Sequence, residues 1–299
     1  MALMCDVLCA LPAATGGPTL FAKNSDRPPT ERQALEWLPP RIDTGAVRAT
    51  HVEVAAHPTA TLGVLGSRPV WGWGLEHGVN VAGVAAGNAT IYTTLDPRSA
   101  PDGLTGMDVV RLALERARTA DEAVAVIQQL LRDVGQGGSG HDLEHRPYWS
   151  SFLVADPSAA FVVETSGNEC AIEAVDRVRA ISNRTTIPSF DAVHRHPRQP
   201  VEQLVDPRWQ ASQRMLVVEP VTVDALKSHL ASHIGGEDGW TVCMHADDAA
   251  HPQTTNAALV AELPTHGPPT AHVTTGPPCT SRWFRIPVAP PAAAGPLPA

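Results

Sequence analysis

The chain has 299 residues, of which 43% are apolar and 18% charged, with a formal net charge of −9. That length holds one large domain or two modest ones, and the apolar share excludes wholesale disorder. The acidic balance, with no run of Lys or Arg, excludes a nucleic-acid surface, and no segment has the roughly 18 consecutive apolar residues of a membrane span.

The N-terminal stretch 1–17 is apolar and ends in small residues, yet its first lysine, Lys23, comes after the apolar run. A secretory signal carries its positive charge in front, so no signal peptide is expected. Five scattered cysteines do not form a disulfide framework. The cytoplasm is the expected location.

Two short apolar strands are expected at 5–12 and 19–23, around the turn Ala13–Gly17. Further strands are expected at 51–56, 60–66 and 79–86, the last rich in small residues that suit a close backbone approach. Helices follow between 106 and 133. Thr105 with Asp108 and Thr119 with Glu122 read as capping boxes, and the apolar residues between them keep a helical period. The glycines of 135–140 then make a flexible loop.

Strands return at 152–155, 160–165, 170–174 and 178–181, with Asp156-Pro157 and Gly167-Asn168 as turns, and read as an antiparallel meander. Asp206-Pro207 reads as an N-cap with proline at the first position, opening a helix over 207–217. Thr222 opens another over 223–234, and strands close the pattern near 240–245, 257–263 and 271–275. The proline- and alanine-rich end reads as a disordered tail. The sum is an α+β protein with two antiparallel sheets.

The stretch that carries chemistry is Met4-Cys5-Asp6 with Phe21-Ala22-Lys23-Asn24-Ser25-Asp26-Arg27-Pro28. A thiol attacks as thiolate and needs a lowered pKa or an adjacent base. A cysteine at a chain terminus brings its own base, because an α-amino group titrates at about 7.7–8.0. Cys5 becomes such a residue if Met4 is the true initiator and is removed, or if residues 1–4 are a propeptide.

These blocks resemble the N-terminal signature of secernins and dipeptidases of the dipeptidase-A type, which are cysteine N-terminal-nucleophile (Ntn) hydrolases. Ser67-Arg68-Pro69-Val70-Trp71-Gly72-Trp73-Gly74 and the run Gly78–Asn88 continue the resemblance in order. So do Gly106–Leu112, Gly135–Gly138, Ser151–Asp156, Glu164-Thr165 and Ile181–Asn183. It is close over residues 4–185 and looser over 200–287. The resemblance implies the αββα four-layer sandwich of Ntn hydrolases, with two stacked antiparallel sheets. In that frame residues 1–4 are a propeptide or a misassigned start, 5–287 the catalytic domain, and 288–299 the tail.

From the wider group, which includes choloylglycine hydrolases and penicillin V acylases, the resemblance implies roles by position. Cys5 is the nucleophile and Asp26 orients its amine. Lys23 stands where relatives often have Arg and favours the thiolate. Asn88 donates to the oxyanion, Asn183 positions the amine or substrate, and Arg208 is the distal arginine. Arg68, Glu76 and Arg208 are candidate readers of the substrate termini, with Trp71 and Trp73 as an apolar wall. The implied reaction is acyl transfer from a small amide or dipeptide through a thioester resolved by water. An acyltransferase resolved by an amine, and a non-catalytic scaffold, remain alternatives.

Taken alone, Asp26, Asn88 and Asn183 read equally well as turn formers. Asn88-Ala89-Thr90 and Asn183-Arg184-Thr185 also match the glycosylation pattern. Cys5 and Cys9 are four apart, which is not C-x-x-C, and no second pair completes a zinc site. His229 and His233 lie one helical turn apart and His194 and His196 flank Arg195; all four read as surface histidines. No metal or cofactor is therefore expected, and no nucleic-acid or membrane partner. The sequence leaves room for a homo-oligomer. Cys243 and His245 share a strand face and form a minor rival to Cys5.

Overall fold

The structure is a computed structural model, and it describes residues 4–199, 201–248, 251–290 and 297–298. Two seven-stranded antiparallel sheets form its centre. The first runs in the order Val178–Ile181, Met4–Ala10, Thr19–Arg27, Gln253–Leu263, Thr270–Thr274 and Phe284–Pro287, with His245–Ala246 paired to Gln253–Leu263. The second runs Glu169–Ala174, Ala160–Ser166, Trp149–Ala155, Ala85–Ile91, His77–Asn80, Val64–Pro69 and Gln33–Leu38.

Strand alternation sorts the apolar residues into layers. Val7, Cys9, Phe21 and Leu259 of the first sheet meet Leu65, Val79, Leu153 and Val162 of the second between the sheets. Leu8, Ala10, Leu20 and Ala22 face the other way and bury Leu216, Leu226 and Leu230 from the helices Asp206–Leu216 and Val223–Leu230. Val64, Ala86, Phe152 and Val154 likewise cover the helices Gly106–Arg116 and Ala120–Asp133. The order helix, sheet, sheet, helix is the αββα sandwich that the resemblance implied.

The caps form largely as the sequence indicates. Thr105 accepts from the Asp108 N–H at 3.1 Å while Asp108 accepts from the Thr105 N–H at 3.0 Å, a reciprocal box. Thr119 accepts from the Glu122 N–H at 3.2 Å, but Glu122 takes the Arg118 N–H rather than closing the box. At 206 the expectation fails. The chain is already helical from Val201, the Trp209 N–H bonds the Val205 carbonyl, and Asp206 instead holds Arg184 at 2.7 Å.

Other departures have local causes. The expected strand 79–86 is a hairpin, His77–Asn80 and Ala85–Ile91, because Asn80 Oδ1 accepts the N–H groups of Ala82 and Val84. Gly83, at φ 89°, completes that turn. The strand Gln33–Leu38 was not anticipated, and the stretch 240–245 is mostly loop. The fourth strand of the expected meander, Val178–Ile181, crosses to the first sheet and pairs with Met4–Ala10. In the expected tail, Val288 is buried and Leu297 packs against the inter-sheet core; 291–296 and 299 lie outside the described residues. Among the described residues no helix is long and apolar enough to cross a membrane.

Thr105→Ala removes the cap that starts the helix under the second sheet. Its urea midpoint should fall with an unchanged m-value, by about 1 kcal/mol of stability.

Candidate active site

The first two strands build the site. Their register sets Cys5 opposite Ser25 and Met4 opposite Asp26. Cys5 therefore shares a face with its diagonal neighbours Lys23 and Arg27, while Asp6 and Asp26 share the opposite face. One face looks between the sheets and the other toward the helix Asp206–Leu216.

Between the sheets, Lys23 is 0% exposed and donates to Cys5 Sγ at 3.3 Å and to Glu76 Oε2 at 3.2 Å. Arg27 Nε donates to Glu76 Oε1 at 2.9 Å, and its Nη1 goes on to Glu31 at 2.9 Å and the Gly140 carbonyl at 2.8 Å. The Trp71 indole closes the row on Glu31. A thiol, an ammonium, a carboxylate, a guanidinium and a carboxylate thus alternate in a buried line. Gly87 leaves room for it, since a Cβ there would stand 2.7 Å from Lys23 Cδ.

The charges set one another. Burial pushes the Cys5 thiol up to about 11, against the pull of Lys23, with Glu76 and Asp26 adding to the rise. Burial also opposes ionisation of Glu76, but Arg27 and Lys23 outweigh it and hold the carboxyl down at about 2. Lys23 resists its own burial because the Cys5 sulfur and Glu76 hold its pKa above the ordinary value. His77 is pushed down to about 3 by burial and then by Lys23, so it is neutral.

On the other face Arg208, also 0% exposed, donates to Asp6 Oδ2 at 2.7 Å and to Asn183 Oδ1 at 3.1 Å. Asn183 Oδ1 accepts the Cys5 main-chain N–H as well, at 2.8 Å. Its Nδ2 is fixed on the Thr90 carbonyl at 3.0 Å. Asp26 Oδ1 accepts from Thr255 at 2.6 Å, whereas Oδ2 lies 3.7 Å from Arg208 and has no hydrogen-bond partner among the described residues. Burial, opposed by Arg208 and reinforced by Asp6, pushes Asp26 up to about 7. A cavity of about 540 Å³ reaches Met4 and is walled in part by Tyr92, Arg98, Arg146 and Arg198.

The structure therefore brings Cys5, Lys23, Asp26, Asn183 and Arg208 together, and none of them is a turn residue on the surface. Asn88 and Asn183 are buried at 2% and 0%, which leaves neither glycosylation pattern accessible. Asn88 sits opposite Phe152, on the helix-facing side of its strand, and donates to the Tyr148 hydroxyl at 3.4 Å. Its main-chain N–H reaches the Glu76 carbonyl at 3.4 Å, and its side chain reaches toward the Cys5 side through Tyr148.

The expected substrate readers fall elsewhere. Glu76 is consumed by Lys23 and Arg27 and belongs to the charge row. Arg68 spends its donors on Glu36 and on the carbonyls of Pro69, Val70 and Gly72, by an edge strand of the second sheet. Trp73 stacks under Arg111 with 3.8 Å from guanidinium carbon to ring centroid, and Trp71 caps the outer end of the row. His229 is buried on Ser212 rather than at the surface.

Sequence reasoning missed Arg27, Thr255 and Tyr148. Arg27 was findable: on a strand continued past Lys23, position 27 falls on the Cys5 face. Thr255 and Tyr148 reach the site by long-range packing and left no local signal.

Comparisons with known proteins agree with this architecture. A family model described as acyl-coenzyme A:6-aminopenicillanic acid acyl-transferase matches residues 14–199. Among solved structures, a mutant of conjugated bile acid hydrolase from Clostridium perfringens matches with TM-score 0.57 and 12% identity, over 95% of this chain and 92% of that one. A second variant of that hydrolase matches with TM-score 0.58 and 11% identity, over 94% and 92%. At these identities the likeness is one of fold.

Glu76 supplies the test of the charge row. Its carboxyl is lowered from 4.5 to about 2, so its stabilisation is whole above pH 4.5 and disappears as pH falls to 2. Glu76→Gln should flatten that acid arm in a pH series of denaturant midpoints. It should also cost about 3–5 kcal/mol near neutral pH, because Lys23 and Arg27 keep buried charges without their partner.

Proposed function

The chain belongs to the acyl-coenzyme A:6-aminopenicillanic acid acyl-transferase family, and from that premise we propose that it is a cysteine Ntn amidohydrolase, dipeptidase-like in its substrate, with Cys5 as nucleophile. The observation that carries the reading is the placement of Met4. It precedes the nucleophile and lines the 540 Å³ cavity. Removing residues 1–4 frees the Cys5 amine and leaves it at the edge of that cavity in one event.

The surroundings of Cys5 suit a free amine. Asn183 Oδ1 already accepts from that nitrogen at 2.8 Å. Asp26 Oδ2, buried and without a hydrogen-bond partner among the described residues, lies on the same side of the strand pair. In the mechanism the neutral amine takes the thiol proton as sulfur attacks the amide carbonyl carbon. The carbon–sulfur bond forms and the carbonyl π pair moves onto oxygen. The resulting ammonium gives its proton to the leaving nitrogen as the carbon–nitrogen bond breaks, and water then resolves the thioester. The Asn88–Tyr148 pair serves the oxyanion: the Asn88 amide donates to the phenol oxygen, and the phenol proton is left to donate. Three arginines, Arg98, Arg146 and Arg198, line the cavity against one carboxylate, Asp96, and this excess favours a substrate with a carboxylate, although Arg98 is paired with Asp96 and Arg146 with Glu144.

The family description favours a second reading, in which an amine rather than water resolves the acyl-enzyme. The two are separated by whether free acid or a new amide accumulates when an amine acceptor is supplied.

The intact mass of the purified protein should correspond to a chain beginning at Cys5, with hydrolysis of dipeptides or N-acyl amides by that form. Cys5→Ala should have no activity on the same panel. A mature wild type that keeps Met1 removes the amine base and leaves the non-catalytic scaffold. Asn88→Ala and Tyr148→Phe should each mature normally and lose about 10²–10³-fold in kcat.

A further inference from the structure

The expectation of no metal site rests on the absence of any sequence motif, and the fold supplies what local spacing does not. His233, Cys243, His245 and Cys279 come from three separate segments, and their four ligand atoms all lie within 4.8 Å of one another. His245 Nε2 is 3.5 Å from Cys243 Sγ and 3.1 Å from Cys279 Sγ. The His233 ring stands edge-on to the His245 ring with centroids 5.1 Å apart.

We propose that these four side chains bind one zinc ion in a closed, tetrahedral Cys₂His₂ site. Zinc–sulfur bonds of about 2.3 Å and zinc–nitrogen bonds of about 2.0–2.1 Å place tetrahedral ligand atoms roughly 3.3–3.8 Å apart. The 3.5 and 3.1 Å separations bracket the lower end of that range, so closure needs only small side-chain rotations. Two thiols and two imidazoles are the donor set that zinc prefers, and no carboxylate competes within the four.

The backbone holds the ligands in place without the ion. The Cys243 N–H donates to the Ser232 carbonyl at 2.8 Å and the Val242 N–H to the Ile234 carbonyl at 3.0 Å, which sets His233 beside Cys243. Cys243 and His245 are two apart, and their side chains meet, with His245 Nε2 at 3.5 Å from Cys243 Sγ. Cys279 arrives in a turn closed by the Thr280 and Ser281 N–H groups on the Pro277 carbonyl, at 3.1 and 2.9 Å. An acidic cavity containing Asp238, Asp247 and Asp248 adjoins His245 and gives a cation its approach.

With four protein ligands there is no open position, so the ion is structural. Its ligands flank Met244, whose N–H donates to Thr255 at 2.8 Å; Thr255 in turn donates to Asp26 at 2.6 Å. The ion therefore pins the segment that supports Asp26 and packs on Met4.

The test uses the untagged full-length chain, prepared without chelator. Elemental analysis should give about one zinc per chain, falling at least about tenfold in Cys279→Ser and in His233→Ala, which replaces an exposed side chain and spares the fold. Cobalt(II) added to the metal-free wild type should give the intense visible bands of a tetrahedral ion with thiolate charge transfer. Cys5→Ala, inactive as an amidohydrolase, should keep its zinc, so the two readings stand or fall separately. Wild type without metal after zinc addition, a weak six-coordinate cobalt spectrum, or a native mass two hydrogens light with Cys243 joined to Cys279 would each overturn the site.

Discussion

The Lys23 ammonium is the constraint around which the centre of the molecule is built. It is fully buried between the two sheets, where an unpaired charge would cost several kcal/mol. Glu76 makes it tolerable, and Glu76 in turn requires Arg27, whose remaining donors require Glu31 and the Gly140 carbonyl. Each charge is admitted by the next, so the row is satisfied as a unit or not at all. Its geometry also explains glycine at 87, because the lysine stem lies across that position.

Strand parity divides the labour around Cys5. Its sulfur is on the inner face with Lys23, and its nitrogen is gripped from the outer side by Asn183, which Arg208 holds in place. Two buried cations thus serve one residue from opposite faces of a single strand pair. Arg208 can do this only because the Val178–Ile181 strand leaves the meander and pairs beside Met4–Ala10, bringing Ser182 and Asn183 to Cys5. The crossing that the sequence pattern hid is the step that assembles the site.

Much of the fold was legible because it rests on local chemistry. Capping residues, turn glycines and period-2 apolar strands reported most elements within a few residues. The failures share a cause. Lys-Asn-Ser-Asp-Arg looks like a turn because charged residues rarely lie in a buried strand, and here Lys23 and Arg27 do so by pairing with Glu76, 53 and 49 positions away, and Asp26 by pairing with Thr255, 229 positions away. The candidate nucleophile and its amine-side partners were reached through family resemblance. Arg68, Trp71 and Trp73 were misplaced because a block of similar sequence does not say which face its side chains take. The His233–Cys243–His245–Cys279 cluster was invisible for the same reason, since only the sheet brings residue 279 to residue 245.

The electrostatics also decide what kind of base the reaction needs. A lysine 3.3 Å from a thiol would ordinarily favour the thiolate. Here burial outweighs that help and Glu76 opposes it further, so the thiol rises to about 11. With Met4 in place, the Cys5 thiol is therefore protonated at neutral pH. His77 is neutral and offers no hydrogen-bonded link to the sulfur among the described residues, and Asp26 is on the opposite face of the strand pair. In the proposed mechanism the base for Sγ comes from within the residue itself. Its nitrogen is the atom that the proposed removal of residues 1–4 would convert from an amide, which cannot accept a proton, into an amine, which can. On this account the chemistry of the site and its silence before processing follow from one set of buried charges.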